Sequence, residues 1–189
     1  IFFTFSLFVS ILFFSCKKDS PAPTNSATDT TMVFTNAENP NIQYTGRIDF
    51  SDTKALTFWF HGILIKANFE GPSIDVVIKD YASGGAQTTN YYTVLIDNIV
   101  YKVIEVNATD TLYKVARNLS DAVHSIEIFK RTEAQVGRSS FKGFCLQINK
   151  QLTAPSAQLT RKIEFIGDSY TCGYGNELSI AAPPTGNPN

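Results

Sequence analysis

A period-two alternation of apolar and polar residues runs through the centre of the sequence, from about residue 33 to residue 150. Such alternation is typical of β-strands with one face packed and the other in water. No long segment shows a helical stripe, and the Asp97-Asn98 pair between two alternating runs predicts a hairpin. Many short strands at close spacing predict a mainly β fold, a β-sandwich or jelly roll spanning residues 33–156. The apolar positions of the pattern lie at every second residue of 63–69, 74–78, 92–96, 100–106 (imperfectly) and 144–148.

The composition is that of an ordinary globular protein, with 189 residues, 43% hydrophobic and 17% charged. A net charge of -1 gives no electrostatic reason for binding nucleic acid. The histidines have no neighbours at metal-ligand spacing, so no metal is expected. Cys145 and Cys172 fall in different proposed domains; two unpaired thiols are the expectation, and a disulfide stays open.

The first residues suggest an export signal. Residues 1–14 are almost wholly apolar. They are fewer than the roughly 20 residues that a membrane-spanning helix needs, and they fit the apolar core of a signal peptide whose basic start is missing. The residues ending at Cys16 resemble a loose lipobox, which predicts a lipid on Cys16; a plain signal peptide is the alternative. Residues 17–32 read as a flexible tether. We therefore expect an exported protein, either secreted or held at the cell envelope only through that lipid.

Residues 161–177 contain the strongest candidate for chemistry. A short apolar run stops at Gly167 and is followed by Asp168 and Ser169. A serine just past a buried strand is fixed by rigid backbone yet open to a substrate, which suits a nucleophile. Its own amide can donate to a developing oxyanion. The supporting loop would be Gly167, Asp168, Thr171, Gly173 and Gly175; position 171 rules out the Gly-x-Ser-x-Gly elbow.

The run 163–175 closely resembles the nucleophile block of the SGNH (GDSL) esterases, most of all carbohydrate esterase family 2, the acetyl-xylan esterase type. Four blocks of the alternating region resemble the N-terminal jelly roll of the same family: 44–49, 62–71, 92–97 and 124–137. The resemblance implies Ser169 as the nucleophile of a cofactor-free esterase. It also implies that residues 157–189 begin an SGNH hydrolase domain, with 162–166 as its first strand. The family's histidine base and remaining oxyanion donors come later than this block, so we expect a fragment that is inactive alone. Without its sheet, the segment beyond about residue 160 should pack only opportunistically on the sandwich.

Other polar and aromatic residues are weaker candidates. Asp121 and His124 have the spacing of the family's acid and base, but they precede Ser169, so a structural histidine is expected. His61 is assigned to turn or interdomain packing. The run 130–133 reads as a solvated face or an interface salt bridge. The aromatic residues of the strands could stack on sugars, although core packing is the commoner use; they are Trp59, Tyr91, Tyr92 and Tyr101.

The sequence thus predicts the N-terminal part of an exported esterase that removes acetyl groups from plant-type polysaccharides. Two alternatives remain open. One is a lipid-anchored, glycan-binding sandwich without catalysis. The other is an SGNH esterase acting on a different ester, such as acetylated peptidoglycan or a lipid.

Overall fold

A computed structural model describes residues 32–85, 88–157, 160–161 and 163–175. These residues form eleven strands and one short 3-10 helix, Ala134–Val136. None of the described segments forms a helix that could cross a bilayer. The strands are β1 (Met32–Asn36), β2 (Ile42–Thr45), β3 (Leu56–Phe58), β4 (Leu64–Glu70), β5 (Ile74–Asp80), β6 (Tyr91–Ile96), β7 (Ile99–Glu105), β8 (Leu112–Ala116), β9 (Val123–Lys130), β10 (Ser139–Gln147) and β11 (Leu152–Thr153).

The strands make two antiparallel sheets. Sheet I has the order β1-β10-β5-β8, with β3 also paired to β10. Sheet II has the order β11-β4-β9-β6-β7, with β2 also paired to β4. Side chains from both sheets meet in one buried hydrophobic cluster. The predicted β-sandwich is confirmed.

The core contains most of the apolar positions that the alternation marked. On β4, Ile65, Ala67 and Phe69 are all buried while the residues between them are not. Two predicted positions are wrong: Val100 is 63% exposed and Ile148 is 47% exposed. Val100 lies on the edge strand β7, beside the register shift that interrupts its pairing with β6, and Ile148 lies just past the end of β10.

The predicted hairpin joins β6 to β7. Asp97 and Asn98 have φ of 52° and 65°, the left-handed conformation that a two-residue primed turn requires at both central positions. The carboxylate of Asp97 then accepts the Ser125 N–H at 2.8 Å, which ties the turn to β9. The local turn residues therefore also fix the position of the hairpin in sheet II.

The segment after the sandwich forms no strand in the described residues. Ile163, Phe165 and Ile166 are 80%, 81% and 89% exposed. A parallel strand needs neighbours at both edges and cover on both faces, and no described strand pairs with this segment. Of the strand predicted at 162–166, the described residues 163–166 are therefore not in a strand. An exposed ion pair, Arg47 Nη2 to Glu164 Oε1 at 3.1 Å, connects the segment to the sandwich.

Candidate functional site

Ser169 lies in an exposed turn, where its neighbours hold its backbone. The Asp168 carboxylate accepts the Tyr170 N–H at 3.0 Å, the local hydrogen bond expected of aspartate at a turn. The Ser169 carbonyl accepts the Tyr174 N–H at 2.9 Å and lies 3.2 Å from Cys172 Sγ. The turn therefore fixes the serine backbone and leaves its side chain open to solvent.

The glycines of the loop are needed for two different reasons. A Cβ on Gly167 would lie 1.9 Å from Thr171 Oγ1, so the threonine side chain occupies the space that any other residue would fill. Gly173 and Gly175 instead have φ of 68° and 85°, which L-residues rarely adopt. The structure thus brings the predicted supporting residues together around Ser169.

Glu133 connects this loop to the sandwich. Its Oε1 accepts the N–H of Gly175 at 2.9 Å. Nothing in the sequence marks this contact, since the run 130–133 reads as either a solvated face or an interface salt bridge. The solvated-face interpretation is wrong for two of its members, because Lys130 and Thr132 are each only 2% exposed.

A buried polar network lies behind Glu133. Asp80 Oδ1 accepts hydrogen bonds from Asn90 Nδ2 at 2.8 Å and from Ser139 Oγ at 2.6 Å. Asn90 Oδ1 in turn accepts the Thr132 hydroxyl at 2.6 Å. Burial lowers the pKa of Lys130 to about 8, against the opposing attraction of Asp80 and Glu133. The network therefore places an ammonium group and a carboxylate inside the sandwich, next to the loop that carries Glu133.

His124 is held in a structural role, as predicted. Its Nδ1 lies 2.7 Å from Asp97 Oδ2, and its Nε2 lies 3.0 Å from the Ser120 carbonyl oxygen. Nε2 also lies 3.2 Å from the Ser120 hydroxyl, so both ring nitrogens have hydrogen-bond partners within the sandwich. Burial lowers the pKa of His124, but the Asp97 and Ser120 hydrogen bonds outweigh burial and the net shift is upward. Both ring nitrogens of His124 are therefore committed to partners in the sandwich, and Asp121 pairs with Lys150.

The other predicted candidates lie apart from Ser169. His61 is half-buried at the turn before β4. Within the described ranges, no hydrogen bond joins Ser169 to either histidine, and no group of three or more His, Cys, Asp or Glu could hold a metal ion. Cys145 and Cys172 are both free and half-buried. Cys16, with the predicted signal and nearly all of the tether, lies outside the described residues.

The four aromatic residues do not form a common platform. Tyr92 is buried in the core, and Tyr91, its neighbour on β6, lies on the opposite face of the strand. Trp59 and Tyr101 are both exposed, but Trp59 follows β3 of sheet I and Tyr101 lies on β7 of sheet II. Core packing is therefore the correct interpretation for Tyr92.

Comparison with known proteins identifies the family of the sandwich. The profile of the carbohydrate esterase 2 N-terminal domain matches residues 44–155. Cellulase/esterase CelE of Acetivibrio thermocellus is 41% identical over 140 residues, which cover 74% of this chain and 16% of that protein. An acetylxylan esterase / glucomannan deacetylase of Cellvibrio japonicus is 29% identical over 137 residues, which cover 72% of this chain and 37% of that protein.

Solved structures agree with this result. A family two carbohydrate esterase from Clostridium thermocellum in complex with cellohexaose superposes with a TM-score of 0.64 at 37% identity, covering 71% of this chain and 39% of that one. A family two carbohydrate esterase from Cellvibrio japonicus gives a TM-score of 0.69 at 26% identity, covering 81% and 44%. The chain spans less than half the length of these relatives. Because the profile covers more than half of the chain, the protein belongs to carbohydrate esterase family 2.

Proposed function

We propose that the full-length protein is a serine esterase that removes acetyl groups from polysaccharides, with Ser169 as its nucleophile. The observation that carries the proposal is the position of Ser169. Its side chain is exposed and its backbone is fixed by the hydrogen bond from Tyr174. A nucleophile needs this combination, because its hydroxyl must reach a carbonyl carbon without rearrangement of the loop.

The reaction proceeds in two steps. Ser169 Oγ attacks the acetyl carbonyl carbon while a base takes the hydroxyl proton, and the developing oxyanion receives a hydrogen bond from the Ser169 N–H. The bond from the acetyl carbon to the sugar oxygen then breaks, and that oxygen leaves with the proton. Water attacks the resulting acetyl-serine, which releases acetate and restores the hydroxyl. His124 is fully committed to Asp97 and Ser120, so the base is a histidine elsewhere in the full-length protein.

The substrate class follows from the relatives. The proteins of Cellvibrio japonicus are named acetylxylan esterase / glucomannan deacetylase, and an esterase from Clostridium thermocellum was solved with cellohexaose. Acetylated plant polysaccharides are therefore the proposed substrates.

The test is hydrolysis by the full-length protein of 4-nitrophenyl acetate and of acetylated glucomannan. Ser169→Ala should lower kcat/KM by about 10³-fold or more, as removal of a catalytic nucleophile does. The control is Ser156→Ala, since Ser156 is an exposed serine whose described hydrogen bond uses only its carbonyl oxygen. Activity of Ser169→Ala equal to that of the control would refute the assignment.

Export and anchoring belong to the same proposal. The apolar start and Cys16 support a lipid-anchored envelope protein, because a short apolar segment that ends at a cysteine fits an export signal followed by a lipidated residue. The residues after Cys16 would then serve as a flexible tether. Cys16→Ser in the full-length protein should move the esterase from the membrane fraction to the soluble fraction. An unchanged membrane fraction would contradict the anchor and leave the esterase proposal untouched.

A further inference from the structure

We infer that Glu133 of the sandwich is a positioning residue for the nucleophile, an inference that rests on the proposed function of Ser169. Glu133 Oε1 accepts the Gly175 N–H at 2.9 Å. In the same loop, the neighbouring Tyr174 N–H donates to the Ser169 carbonyl at 2.9 Å. Two adjacent amides therefore connect a sandwich carboxylate to the serine backbone.

The backbone of Glu133 is itself fixed from below. Lys130 Nζ donates to the Thr132 carbonyl at 2.7 Å, to the Thr132 hydroxyl at 3.1 Å and to the Glu133 carbonyl at 3.4 Å. The Thr132 hydroxyl in turn donates to buried Asn90. Lys130 therefore holds the backbone of Thr132 and Glu133 from inside the core.

The residues that follow Glu133 are fixed as well. The 3-10 helix starts directly after Glu133, and the Val136 N–H donates to the Glu133 carbonyl at 3.2 Å. Asn90 Nδ2 donates to the Gly137 carbonyl at 3.3 Å, and Ser139 binds Asp80. The residues on both sides of Glu133 are therefore hydrogen-bonded to one buried network, which restricts the position of the Glu133 carboxylate.

This arrangement determines where the serine backbone sits. A carboxylate that accepts a backbone N–H makes a charge-assisted hydrogen bond, stronger than a neutral one. Loss of that bond frees the end of the loop at Gly175 and, through Tyr174, the Ser169 carbonyl. The orientation of the Ser169 amide and hydroxyl is then less defined. Since a displacement of about 1 Å at a reacting group lowers the rate by about 100-fold, the expected effect is on kcat.

The experiment compares three substitutions in the full-length enzyme with 4-nitrophenyl acetate as substrate. Glu133→Ala should lower kcat by about 10- to 100-fold with KM within about twofold. Glu133→Gln keeps an acceptor oxygen at the same distance and should restore kcat to within about fivefold of wild type, the loss expected from a neutral acceptor. Glu105→Ala, which removes an exposed carboxylate from β7, is the matched control and should leave both constants unchanged.

The outcomes separate this inference from the function on which it rests. Wild-type kcat in Glu133→Ala, with Ser169→Ala inactive, overturns the positioning role alone. Activity in Ser169→Ala overturns the proposed nucleophile. If Glu133→Ala does not fold, Glu133→Asp decides, because it keeps the charge and withdraws the carboxylate by one methylene. A kcat of Glu133→Asp below that of Glu133→Gln supports the positioning role of Glu133. A wild-type kcat in Glu133→Asp refutes that role.

Discussion

The buried carboxylate of Asp80 offers the sharpest test of the network that underlies the candidate site. Asp80 is 1% exposed, and its Oδ1 accepts hydrogen bonds from Asn90 and Ser139. Its negative charge also favours the charged form of buried Lys130. Asp80→Asn keeps the shape and one acceptor oxygen but removes the charge. The substitution therefore isolates the electrostatic part of the network.

The magnitude follows from the two hydrogen bonds and the nearby ammonium. A charge-assisted hydrogen bond is about twice as strong as a neutral one, so neutralising the acceptor of both bonds costs about 1 to 2 kcal/mol. Loss of the attraction to the buried Lys130 ammonium adds about 1 kcal/mol, less than the roughly 3 to 5 kcal/mol for breaking a directly paired buried charge, because no described ion pair joins Asp80 to Lys130. Asp80→Asn should therefore lower the free energy of unfolding by about 2 to 3 kcal/mol at pH 7.

The pH dependence of this loss gives a second check. The pKa of Lys130 is lowered to about 8 in the folded chain. Between pH 8 and its ordinary pKa, the unfolded chain binds more protons at this site, so the stability contributed by Lys130 rises with pH. At pH 9 the folded lysine is mostly neutral and no longer needs the Asp80 charge. The loss caused by Asp80→Asn should therefore be smaller at pH 9 than at pH 7.

Urea denaturation at pH 7 and at pH 9 measures the loss of unfolding free energy and its dependence on pH. Trp59 directly follows β3 of the sandwich, so its fluorescence reports unfolding of this domain. With a slope of about 2 kcal/mol per M, the midpoint should fall by about 1 to 1.5 M at pH 7. Asp110→Asn is the control, because Asp110 is exposed and accepts a surface hydrogen bond from Asn107. A change of less than about 0.5 kcal/mol, the range of surface substitutions, or a loss that does not shrink at pH 9, would refute the reasoning.

Two further predictions concern the sandwich. Gly143→Ala should destabilise by about 3 kcal/mol or more, because its φ is 143° and its Cβ would lie 2.0 Å from the Thr35 carbonyl oxygen. Gly62→Ala, at a φ of 70° with open space around the new Cβ, should cost about 1 kcal/mol. His124→Gln should cost about 1 kcal/mol near pH 6, since half-exposed Asp97 is partly screened. The His124 contribution is present below the ordinary pKa of histidine and disappears as pH rises through the raised pKa; it also disappears at acid pH as Asp97, whose pKa is lowered, becomes protonated. Equal losses for the two glycines, or a His124→Gln effect that does not vary with pH, would contradict these accounts.

Much of the fold could be predicted because the controlling signals are local. Alternation along β4 and β5 and the Asp97-Asn98 turn each depend on a few adjacent residues. The wrong predictions of burial occur where the position of a residue in the sheet matters more than the alternation of apolar and polar residues. Val100 alternates correctly but lies on an edge strand beside a register shift, and no property of its neighbours in the sequence reveals that.

The candidate site was predictable only in part, for the same reason. Ser169 and its glycines form one continuous block, so the sequence displays them together. Glu133 and Lys130 do not form part of that block, and the groups that act on buried Lys130, such as Asp80, lie on other strands that only folding brings together. A short run of charged residues such as 130–133 usually indicates a solvated surface, and here only the tertiary structure shows that Lys130 is buried.

The most direct test of the central claim is the site of covalent modification by a serine-reactive organophosphonate in the active, full-length enzyme. Inhibition should be complete at one adduct per protein, and mass spectrometry of the digest should place that adduct on Ser169. An enzyme that is fully inhibited while its Ser169 peptide remains unmodified would contradict the account.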